Sequence, residues 1–362
     1  MKYYPLLKRF SYKTNMKHWQ ALLQKSITDP AHLPAFFRFD PENIHRVTTI
    51  YPMRINPYYL SLIKKPGDAL WRQAVPDALE LEDTVCMEDP LNEENLSPVP
   101  NLVHKYPDRA LFLVHNQCAV YCRFCTRKRK VGRKEMRVSL KTINAGINYL
   151  QQTPAIKDVL VSGGDPLLLD DNRLDYILSQ LRTIKHVDII RIGSRVPCTL
   201  PMRITKKLAA TIKQHHPIYI NTHFNHPDEI TPEAATACNR LADAGIPLGS
   251  QTVLLKGVND DPEIIKHLMY KLLRIRVKPY YLFQTDMTKG TDHFRTPIDT
   301  GLDIMRSLIG HVSGMALPTF AVDAPGGGGK MPLLPNYIEQ KGRQLVFQNY
   351  CGMTCTYDNP CN

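Results

Sequence analysis

From residue 110 onward, short apolar runs alternate with amphipathic segments six times. The first pair is ALFLVHN and KTINAGINYLQQ, and a strand-like run, LPTFAVD, follows the sixth pair. The apolar runs indicate buried strands, and the apolar spacing of the intervening segments indicates helices packed against them. Strands that alternate with helices pair in parallel, so we predict an α/β protein. A doubly wound sheet and a full or partial (β/α) barrel both satisfy this alternation.

Clusters of unusual residues follow the predicted strands. They are HNQC, SGGDP, GSR, THFNHP, QTD and DAPGGGGK. In both architectures the ligand site lies at the carboxyl ends of the strands. The clusters are therefore predicted to meet in one site.

Composition limits the class of protein. The 362 residues allow one large α/β domain with an appendage. Because no apolar stretch reaches the about 18 residues that span a bilayer and no signal peptide is evident, we expect a cytoplasmic protein without a membrane partner. Nine cysteines in a reducing compartment are typical of metal ligands or redox groups. The net charge of +12 suits a nucleic acid or another anionic ligand and does not decide between them.

Cys118, Cys122 and Cys125 lie within eight consecutive positions directly after the first predicted strand. Their C-x3-C-x2-C spacing supplies three thiolates, one fewer than a closed zinc or ferredoxin-type site uses. A [4Fe–4S] cluster held by three cysteines keeps one iron open to another ligand. Three unrelated buried thiols are the alternative, which the close spacing disfavours.

This stretch, with Phe124 just before the third cysteine, resembles the signature loop of the radical S-adenosylmethionine (SAM) superfamily. The resemblance implies a partial (β/α)6 barrel and a cluster whose open iron binds the amino and carboxylate groups of SAM. SGGDP resembles the superfamily's glycine motif, whose backbone groups meet the methionine amino group. The implied SAM contacts are Phe124, Ser162, Gly163, Gly164 and Asp165.

Lys330 follows four consecutive glycines in DAPGGGGKMPLLPN. A phosphate-binding G-x4-G-K-[ST] loop would need glycine at Ala324 and Ser or Thr at Met331, so that interpretation fails at both positions. A lysine that forms an imine with a cofactor moves between free and bonded states, and glycine permits the backbone freedom this requires. A solvated lysine on a flexible loop is the alternative.

Segments between about Tyr106 and Tyr337 resemble the lysine 2,3-aminomutase family. They include KYPDRALFLVHNQCAVYCRFCTRK, DVLVSGGDPLL, IIRIGSRVPCTLPMRIT, NTHFNHPDEIT, KPYYLFQTD and FAVDAPGGGGKMPLLPNY. The resemblance implies an isomerase that moves the α-amino group of L-lysine to the β-carbon through a 5′-deoxyadenosyl radical, giving β-lysine. It implies three cofactors: a [4Fe–4S] cluster, SAM, and pyridoxal 5′-phosphate (PLP) bound to Lys330 as an aldimine.

The same resemblance implies roles for matched positions. Arg127 would bind the substrate α-carboxylate, and Asp286 and Asp323 its side-chain ammonium, as a guanidinium fork and two acidic groups suit. Relatives acting on glutamate lack this acidic pair, so lysine is the expected substrate. Further implied contacts are His223 and Gln251 near SAM, and Tyr106 and Arg109 near PLP.

Three regions are predicted: a helical N-terminal region over 1–100, the barrel over 101–325, and a C-terminal segment with the PLP lysine over 326–362. Members of the family also bind zinc between subunits through a C-terminal cysteine cluster and a cysteine after the GVND segment. Asp261 stands at that last position here, and the three C-terminal cysteines do not match the cluster; they are Cys351, Cys355 and Cys361. The sequence therefore does not support zinc, and a homo-oligomer stays open.

Two alternatives remain for the function. TRKRKVGRK, residues 126–134, suggests a radical SAM enzyme that modifies RNA, although such basic runs are usually solvated and a reductase partner would explain this one equally well. An aminomutase acting on arginine is also compatible, because the acidic pair would attract a guanidinium. The expected partners are an amino acid and an electron donor such as flavodoxin or ferredoxin, and nucleic acid is not expected.

Overall fold

The structure, a computed structural model, describes residues 18–133, 136 and 138–360. The N-terminal part of this range contains four short α-helices: α1 (His18–Gln24), α2 (Pro41–Ile50), α3 (Pro57–Leu62) and α4 (Ala69–Ala74). Three of them begin alike, since a side chain before the first turn accepts backbone N–H groups that the helix leaves unpaired; these caps are Asp40, Asn56 and Asp68. The prediction of a helical N-terminal region is confirmed for the described residues.

The main sheet contains nine strands in chain order within the described residues. Seven of these strands are parallel: β2 (Arg109–His115), β3 (Asp158–Gly163), β4 (Ile189–Gly193), β5 (Ile218–Thr222), β6 (Leu248–Leu254), β7 (Lys278–Gln284) and β8 (Thr319–Ala324). Two antiparallel strands, β1 (Leu102–Tyr106) and β9 (Gly329–Pro332), form the edges. The predicted parallel pairing is confirmed.

Helices connect the parallel strands as the alternation predicts. They are α5 (Leu140–Gln152), α6 (Asp171–Thr183), α8 (Lys206–Lys213), α9 (Pro232–Asp243), α10 (Pro262–Arg274) and α11 (Ile298–Leu308), with a short extra helix, α7 (Val196–Thr199), directly after β4. Strand residues such as Val161, Ile192 and Ile220 are fully buried. Parallel strands covered on both faces need such apolar runs, which explains why the strands were recognisable.

The two edges of the main sheet meet through side chains. Lys105 of β1 donates to a carboxylate oxygen of Asp323 on β8 at 2.8 Å. The Tyr106 hydroxyl, at the end of β1, accepts the backbone N–H of Lys330 on β9 at 2.9 Å. Within the described residues no backbone ladder joins β1 to β9. The sheet is therefore a partial barrel, as predicted, whose open side is bridged by side chains.

The C-terminal extension forms a separate antiparallel sheet of three strands, β10 (Ile338–Lys341), β11 (Gln344–Gln348) and β12 (Thr354–Asp358). Cys355 lies on β12 and the exposed Cys351 in the turn before it, whereas Cys361 lies outside the described residues. The boundary predicted after residue 325 falls inside the β8–β9 hairpin, and the division into three regions stays a prediction. None of the helices in the described ranges is long and apolar enough to cross a membrane.

Replacement of Gly301 by alanine tests the close packing of α11 on β8. Alanine favours an exposed helix by about 1 kcal/mol over glycine. Here, however, a Cβ at Gly301 would lie 2.1 Å from the Phe320 ring. Gly301→Ala is therefore expected to lower the free energy of unfolding, by about 1–3 kcal/mol as for other overpacked cores. Denaturant unfolding measures this effect.

Gly342→Ala is the matched control, because a Cβ at Gly342 has no neighbour within 4 Å. Its unfolding free energy is expected to match that of the unmodified protein. Equal stability of the two variants would show that α11 does not rest as closely on β8 as described.

Candidate active site

The N-terminal region holds the cysteine loop that follows β2. Val120 forms a β-bridge with Ile55. The backbone N–H of Tyr121 donates to the Arg54 carbonyl, and that of Arg123 to the Gln73 carbonyl, both at 2.9 Å. The side chain of Asn56, the cap of α3, donates to the Ala119 carbonyl at 3.1 Å. The loop is thus fastened at several successive positions, a role for the first hundred residues that the sequence did not reveal.

A buried ion triad fastens the same loop. The Glu80 carboxylate, 1% exposed, accepts from Arg123 Nε at 2.8 Å and lies 2.7 Å from Lys128 Nζ. Lys128 Nζ also donates to the Gly290 carbonyl at 2.7 Å, so the triad ties the loop after β2 to the loop after β7. Burial alone would raise the pKa of Glu80, but the two cations outweigh it and hold this pKa at about 2. Glu80 is therefore ionised at neutral pH, whereas burial lowers the pKa of Lys128 to about 8.

The three cysteines of the loop line one cavity of about 360 Å³. Burial raises the pKa of Cys118 well above its usual value and that of Cys125 to about 11, and the neighbouring thiols add to both shifts. Crowded thiolates of this kind need a cationic partner such as iron. Among the described residues, the ligand atoms close enough to share one metal ion are those of Asp83, Cys86 and Asp292, and the three cysteines are not grouped this way. The three Sγ atoms therefore do not all lie within 4.8 Å of one another. Sulfur atoms this far apart fit a multinuclear cluster better than a single ion.

The glycine motif after β3 packs directly on the cysteine loop. Gly163 has φ of 133°, and a Cβ there would lie 2.2 Å from the His115 carbonyl oxygen. A Cβ at Gly164 would lie 2.5 Å from the Gln117 carbonyl oxygen. Only glycine permits backbones to approach this closely. The motif therefore places the ends of β2 and β3 side by side.

Asp165 ties the ends of β3 and β4 together. Its carboxylate accepts from the Ser194 hydroxyl and the Arg195 backbone N–H, both at 2.7 Å. Burial raises the pKa of Asp165 to about 6, although these hydrogen bonds oppose the shift. The carboxylate is thus engaged with protein groups while it lines the cavity.

His223 lies just beyond β5, and Gln251 lies on β6; both line the cavity. His223 Nε2 is 2.9 Å from Asn225 Oδ1, and its ring lies 5.5 Å from that of Phe124. Burial and the nearby Arg195 lower the pKa of His223 to about 3, so the ring is neutral at physiological pH.

Lys330 lies on strand β9 and not on the flexible loop that the sequence left as the alternative. The glycines before it make the tight turn between β8 and β9, and Gly326, Gly327 and Gly329 all have positive φ. The hairpin places Lys330 opposite Asp323, with Nζ 3.0 Å from Oδ2. The other oxygen of Asp323 binds Lys105 Nζ at 2.8 Å. Asp323 thus binds two primary ammonium groups at once.

Asp286 and Asp323 form the predicted acidic pair, and both line the cavity. Burial, together with the charge of Asp323, raises the pKa of Asp286 to about 7. Burial also acts to raise the pKa of Asp323, but Lys330 and Lys105 outweigh it and lower this pKa below its ordinary value. At neutral pH the pair therefore carries between one and two negative charges.

Tyr106 and Arg109 lie beside this hairpin. The Arg109 guanidinium stacks over the Tyr106 ring at 4.6 Å and donates to Asp108 at 2.9 Å. Since the Tyr106 hydroxyl already accepts the Lys330 N–H, all three residues meet at one side of the cavity.

The basic run after the cysteines is paired with an acidic segment. Arg127 binds Glu93 through two N–H groups at 2.6 and 3.1 Å. Arg129 binds Asp89 at 2.8 Å, and Lys130 lies 3.7 Å from Glu94. Lys134 lies outside the described residues. The run is therefore largely neutralised within the protein, which removes much of the positive surface that suggested RNA.

The structure brings all sixteen residues predicted for the site to this one cavity: Tyr106, Arg109, Cys118, Cys122, Phe124, Cys125, Arg127, Ser162, Gly163, Gly164, Asp165, His223, Gln251, Asp286, Asp323 and Lys330. Their individual roles stay predictions. The cavity also contains residues to which the sequence assigned no role, notably Glu93, Lys105 and Asn221, together with Arg195 of the GSR cluster. The contacts of Glu93, Lys105 and Arg195 join them to side chains at least 34 positions away, so neighbouring residues do not reveal these contacts.

Two buried donors in the cavity are without a partner among the described residues. They are Nε of Arg195 and Nδ2 of Asn221. Buried donors are normally hydrogen-bonded, so these atoms indicate that the cavity binds a polar ligand. Together with the three thiols, they fit an iron–sulfur cluster with an attached polar cofactor.

Asp261, which stands where the family resemblance implies a zinc-binding cysteine, has a structural role here. Its carboxylate caps α10 by accepting the N–H groups of Glu263 and Ile264 at 2.8 and 3.3 Å. The position therefore supplies a helix cap.

A parallel partial barrel whose first loop carries C-x3-C-x2-C in the cavity defines a radical SAM protein. A family model for the radical SAM superfamily matches residues 112–268, and one for lysine-2,3-aminomutase matches residues 305–362. The chain is 49% identical over 349 residues to the L-lysine 2,3-aminomutase of Acetoanaerobium sticklandii, which covers 94% of this chain and 84% of the relative. It belongs to the lysine 2,3-aminomutase family.

Two further relatives span the substrates named within this family. The L-lysine 2,3-aminomutase of Clostridium subterminale is 50% identical over 327 residues, covering 89% of this chain and 79% of the relative. The glutamate 2,3-aminomutase of Clostridioides difficile is 47% identical over 337 residues, covering 92% of this chain and 79% of the relative. Overall similarity therefore does not separate lysine from glutamate, and the side chains of the site must do so.

Replacement of Glu80 by glutamine tests the ion triad. The change leaves Arg123 and Lys128 buried without their anion, and breaking a buried ion pair costs about 3–5 kcal/mol. We expect a loss of unfolding free energy of this size and a lower iron content after anaerobic reconstitution. Denaturant unfolding and iron analysis measure the two effects.

Glu94→Gln is the matched control, since the Glu94 side chain is 64% exposed and also binds basic residues of the run. Exposed pairs contribute about 0–1 kcal/mol, so a small effect is expected. If Glu80→Gln behaves like this control, the triad does not hold the loop.

The raised pKa of Asp286 predicts a pH-dependent stability. Its pKa is about 7 in the folded protein against an ordinary value of 3.8, so between these values the native state binds a proton that the unfolded chain releases. The free energy of unfolding should therefore fall as pH rises through this window. Asp286→Asn removes that contribution, which amounts to a few kcal/mol at about 1.4 kcal/mol per pKa unit.

Denaturant unfolding across this pH range, for the protein and the variant, measures the difference. Asp303→Asn, at an exposed carboxylate on α11, is the control and is expected to keep the pH dependence of the unmodified protein. An unchanged pH dependence in Asp286→Asn would show that Asp286 ionises normally.

Proposed function

We propose that this protein is an L-lysine 2,3-aminomutase, which moves the α-amino group of L-lysine to the β-carbon and gives β-lysine. The observation that carries the proposal is the arrangement at one end of the cavity. Asp323 binds two primary ammonium groups there, and Asp286 adds a second carboxylate. The side chain of lysine ends in the same chemical group.

Three groups of residues would hold the cofactors. Cys118, Cys122 and Cys125 would bind a [4Fe–4S] cluster. Lys330, Tyr106 and Arg109 would bind PLP. The residues that would contact SAM are Phe124, Ser162, Gly163, Gly164, Asp165, His223 and Gln251. When bound, these cofactors supply radical hydrogen abstraction and an imine nitrogen that can migrate, chemistry that side chains alone cannot provide.

The protein's own contribution is orientation. Arg127 offers a planar fork to the substrate α-carboxylate, while its other edge stays fixed by Glu93. The acidic pair would bind the far end of the substrate, so the two ends determine which carbon faces the reacting centre. A neutral His223 and the buried walls of the cavity exclude charges and water that would compete.

The acidic pair also separates lysine from glutamate. A glutamate side chain would place a third carboxylate beside Asp286 and Asp323, where like charges repel. Arginine is the remaining alternative, because its guanidinium is also a cation. Lysine is favoured because the ions that Asp323 already binds are ammonium groups.

The partners that follow are an amino-acid substrate and a cellular electron donor such as flavodoxin or ferredoxin. The cytoplasm suits an enzyme whose cluster ligands must stay reduced thiols. The sheet of β10, β11 and β12 carries exposed apolar side chains, including Ile338 and Tyr357, which is compatible with a homo-oligomer.

An anaerobic assay tests the proposal. The protein is reconstituted with iron, sulfide and PLP, reduced, and given SAM with L-lysine deuterated at the β-carbon. We expect β-lysine among the amino-acid products in mass spectrometry, and turnover of arginine or glutamate at least about tenfold slower, equivalent to 1.4 kcal/mol. SAM cleavage without β-lysine would keep the radical chemistry and refute lysine as the substrate.

Lys330→Ala is the informative variant for PLP. It should lose the visible absorbance of bound PLP and keep that of the iron–sulfur cluster. Lys341→Ala, at an exposed lysine on β10, is the control and should keep both. Loss of both signals in Lys330→Ala would instead make this lysine structural.

A further inference from the structure

Arg195 places a buried positive charge against one of the cluster cysteines. The residue follows β4, is 8% exposed, and its Nη1 donates to Cys122 Sγ at 2.7 Å. Hydrogen bonds to cysteine sulfurs are one of the means by which proteins adjust the reduction potential of iron–sulfur clusters.

The guanidinium of Arg195 is held rigidly. Its Nη2 donates to Gln73 Oε1 at 2.6 Å and to Glu229 Oε1 at 2.7 Å. The Phe124 ring lies 5.1 Å from the guanidinium carbon, and the Tyr59 ring 5.8 Å. Two acceptors and two aromatic rings thus leave the group little freedom, so its contact with Cys122 is set by the fold.

Glu229 is the counter-ion of this arginine and is fully buried. Its carboxylate also accepts from the Tyr59 hydroxyl at 2.8 Å and from the Asn225 backbone N–H at 2.6 Å. The negative charge is therefore stabilised independently of Arg195. The guanidinium of Arg195 thus lies between the Cys122 sulfur and the Glu229 carboxylate. Cys122 and Arg195 line the cavity, and Glu229 lies behind them.

We propose that Arg195 and Glu229 act as positioning residues that set the reduction potential of the iron–sulfur cluster, Arg195 raising it and Glu229 lowering it. Reduction adds one electron from the donor to the cluster, converting [4Fe–4S]²⁺ to [4Fe–4S]⁺. A cation that donates to a ligand sulfur stabilises the added negative charge, and an anion behind that cation weakens the effect. This inference rests on the cluster assignment made in the proposed function.

The opposite signs distinguish this proposal from a merely structural pair. If the two residues only joined the ends of β4 and β5, removal of either would loosen the same region, and any effects on the cluster would have the same direction. If the two residues set the reduction potential of the cluster, this potential must fall when Arg195 is replaced and rise when the charge of Glu229 is removed.

The test is an anaerobic redox titration of the reconstituted cluster, reduced with dithionite and followed by electron paramagnetic resonance. Arg195→Gln is expected to lower the ratio of reduced to oxidised cluster about tenfold at the midpoint of the unmodified protein, equivalent to 59 mV for one electron. Glu229→Gln is expected to raise the same ratio. Arg195→Lys should fall between the unmodified protein and Arg195→Gln, because it keeps the charge and loses the planar fork.

Arg191→Gln is the matched control. Arg191 lies on β4, lines the same cavity and pairs with Asp158 at 2.9 Å instead of a thiol. The cluster of Arg191→Gln is expected to have the same midpoint reduction potential as that of the unmodified protein.

Iron and sulfide contents separate failure of this inference from failure of the proposed function. Absence of a cluster in the unmodified protein would refute the cofactor assignment itself. With the cluster present, shifts of the same sign in Arg195→Gln and Glu229→Gln, or no shift in either, would overturn the inference. If Arg195→Gln does not retain its cluster, Arg195→Lys and Glu229→Gln decide the question, since the proposal requires their shifts to be opposite.

Discussion

The contact between Lys105 and Asp323 is the interaction on which the rest of the site depends. It joins β1 to β8 across the open side of the barrel, where backbone pairing is absent within the described residues. Because the sheet curls this far, the hairpin that carries Lys330 faces the loop that carries the cysteines. With the edges apart, the groups that would bind PLP and the iron–sulfur cluster would not share a cavity.

Charge pairing explains how a protein with a net charge of +12 keeps an ordered site. The segment from Glu80 to Glu94 supplies the acids that neutralise the basic run after the cysteines. Buried triads of this kind cost desolvation energy, which the mutual attraction and added hydrogen bonds must offset. The triad fixes the cysteine loop, which has little secondary structure of its own.

Much of the fold and site was predictable because the signals are local. Buried parallel strands need continuous apolar runs, and thiolates that bind one cluster from one loop must lie close in sequence. The placement of Lys330 on a strand was not predictable, since β9 is short and pairs only with the preceding strand. Asp286 is similar: its raised pKa depends on burial and on Asp323, and neither is visible in the residues around it.

The sequence by itself determined the order of strands and helices, the three-cysteine motif, the glycine turn and the family to which the chain belongs. Periodicity and spacing express the first three features directly, because these depend on neighbours along the chain, and the family follows from the resemblance of successive segments. Only the tertiary structure decided that Glu80 holds the cysteine loop, that Glu93 fixes Arg127 and that Arg195 contacts Cys122. Each of these contacts joins residues at least 34 positions apart, so it exists only once the barrel has brought distant segments together.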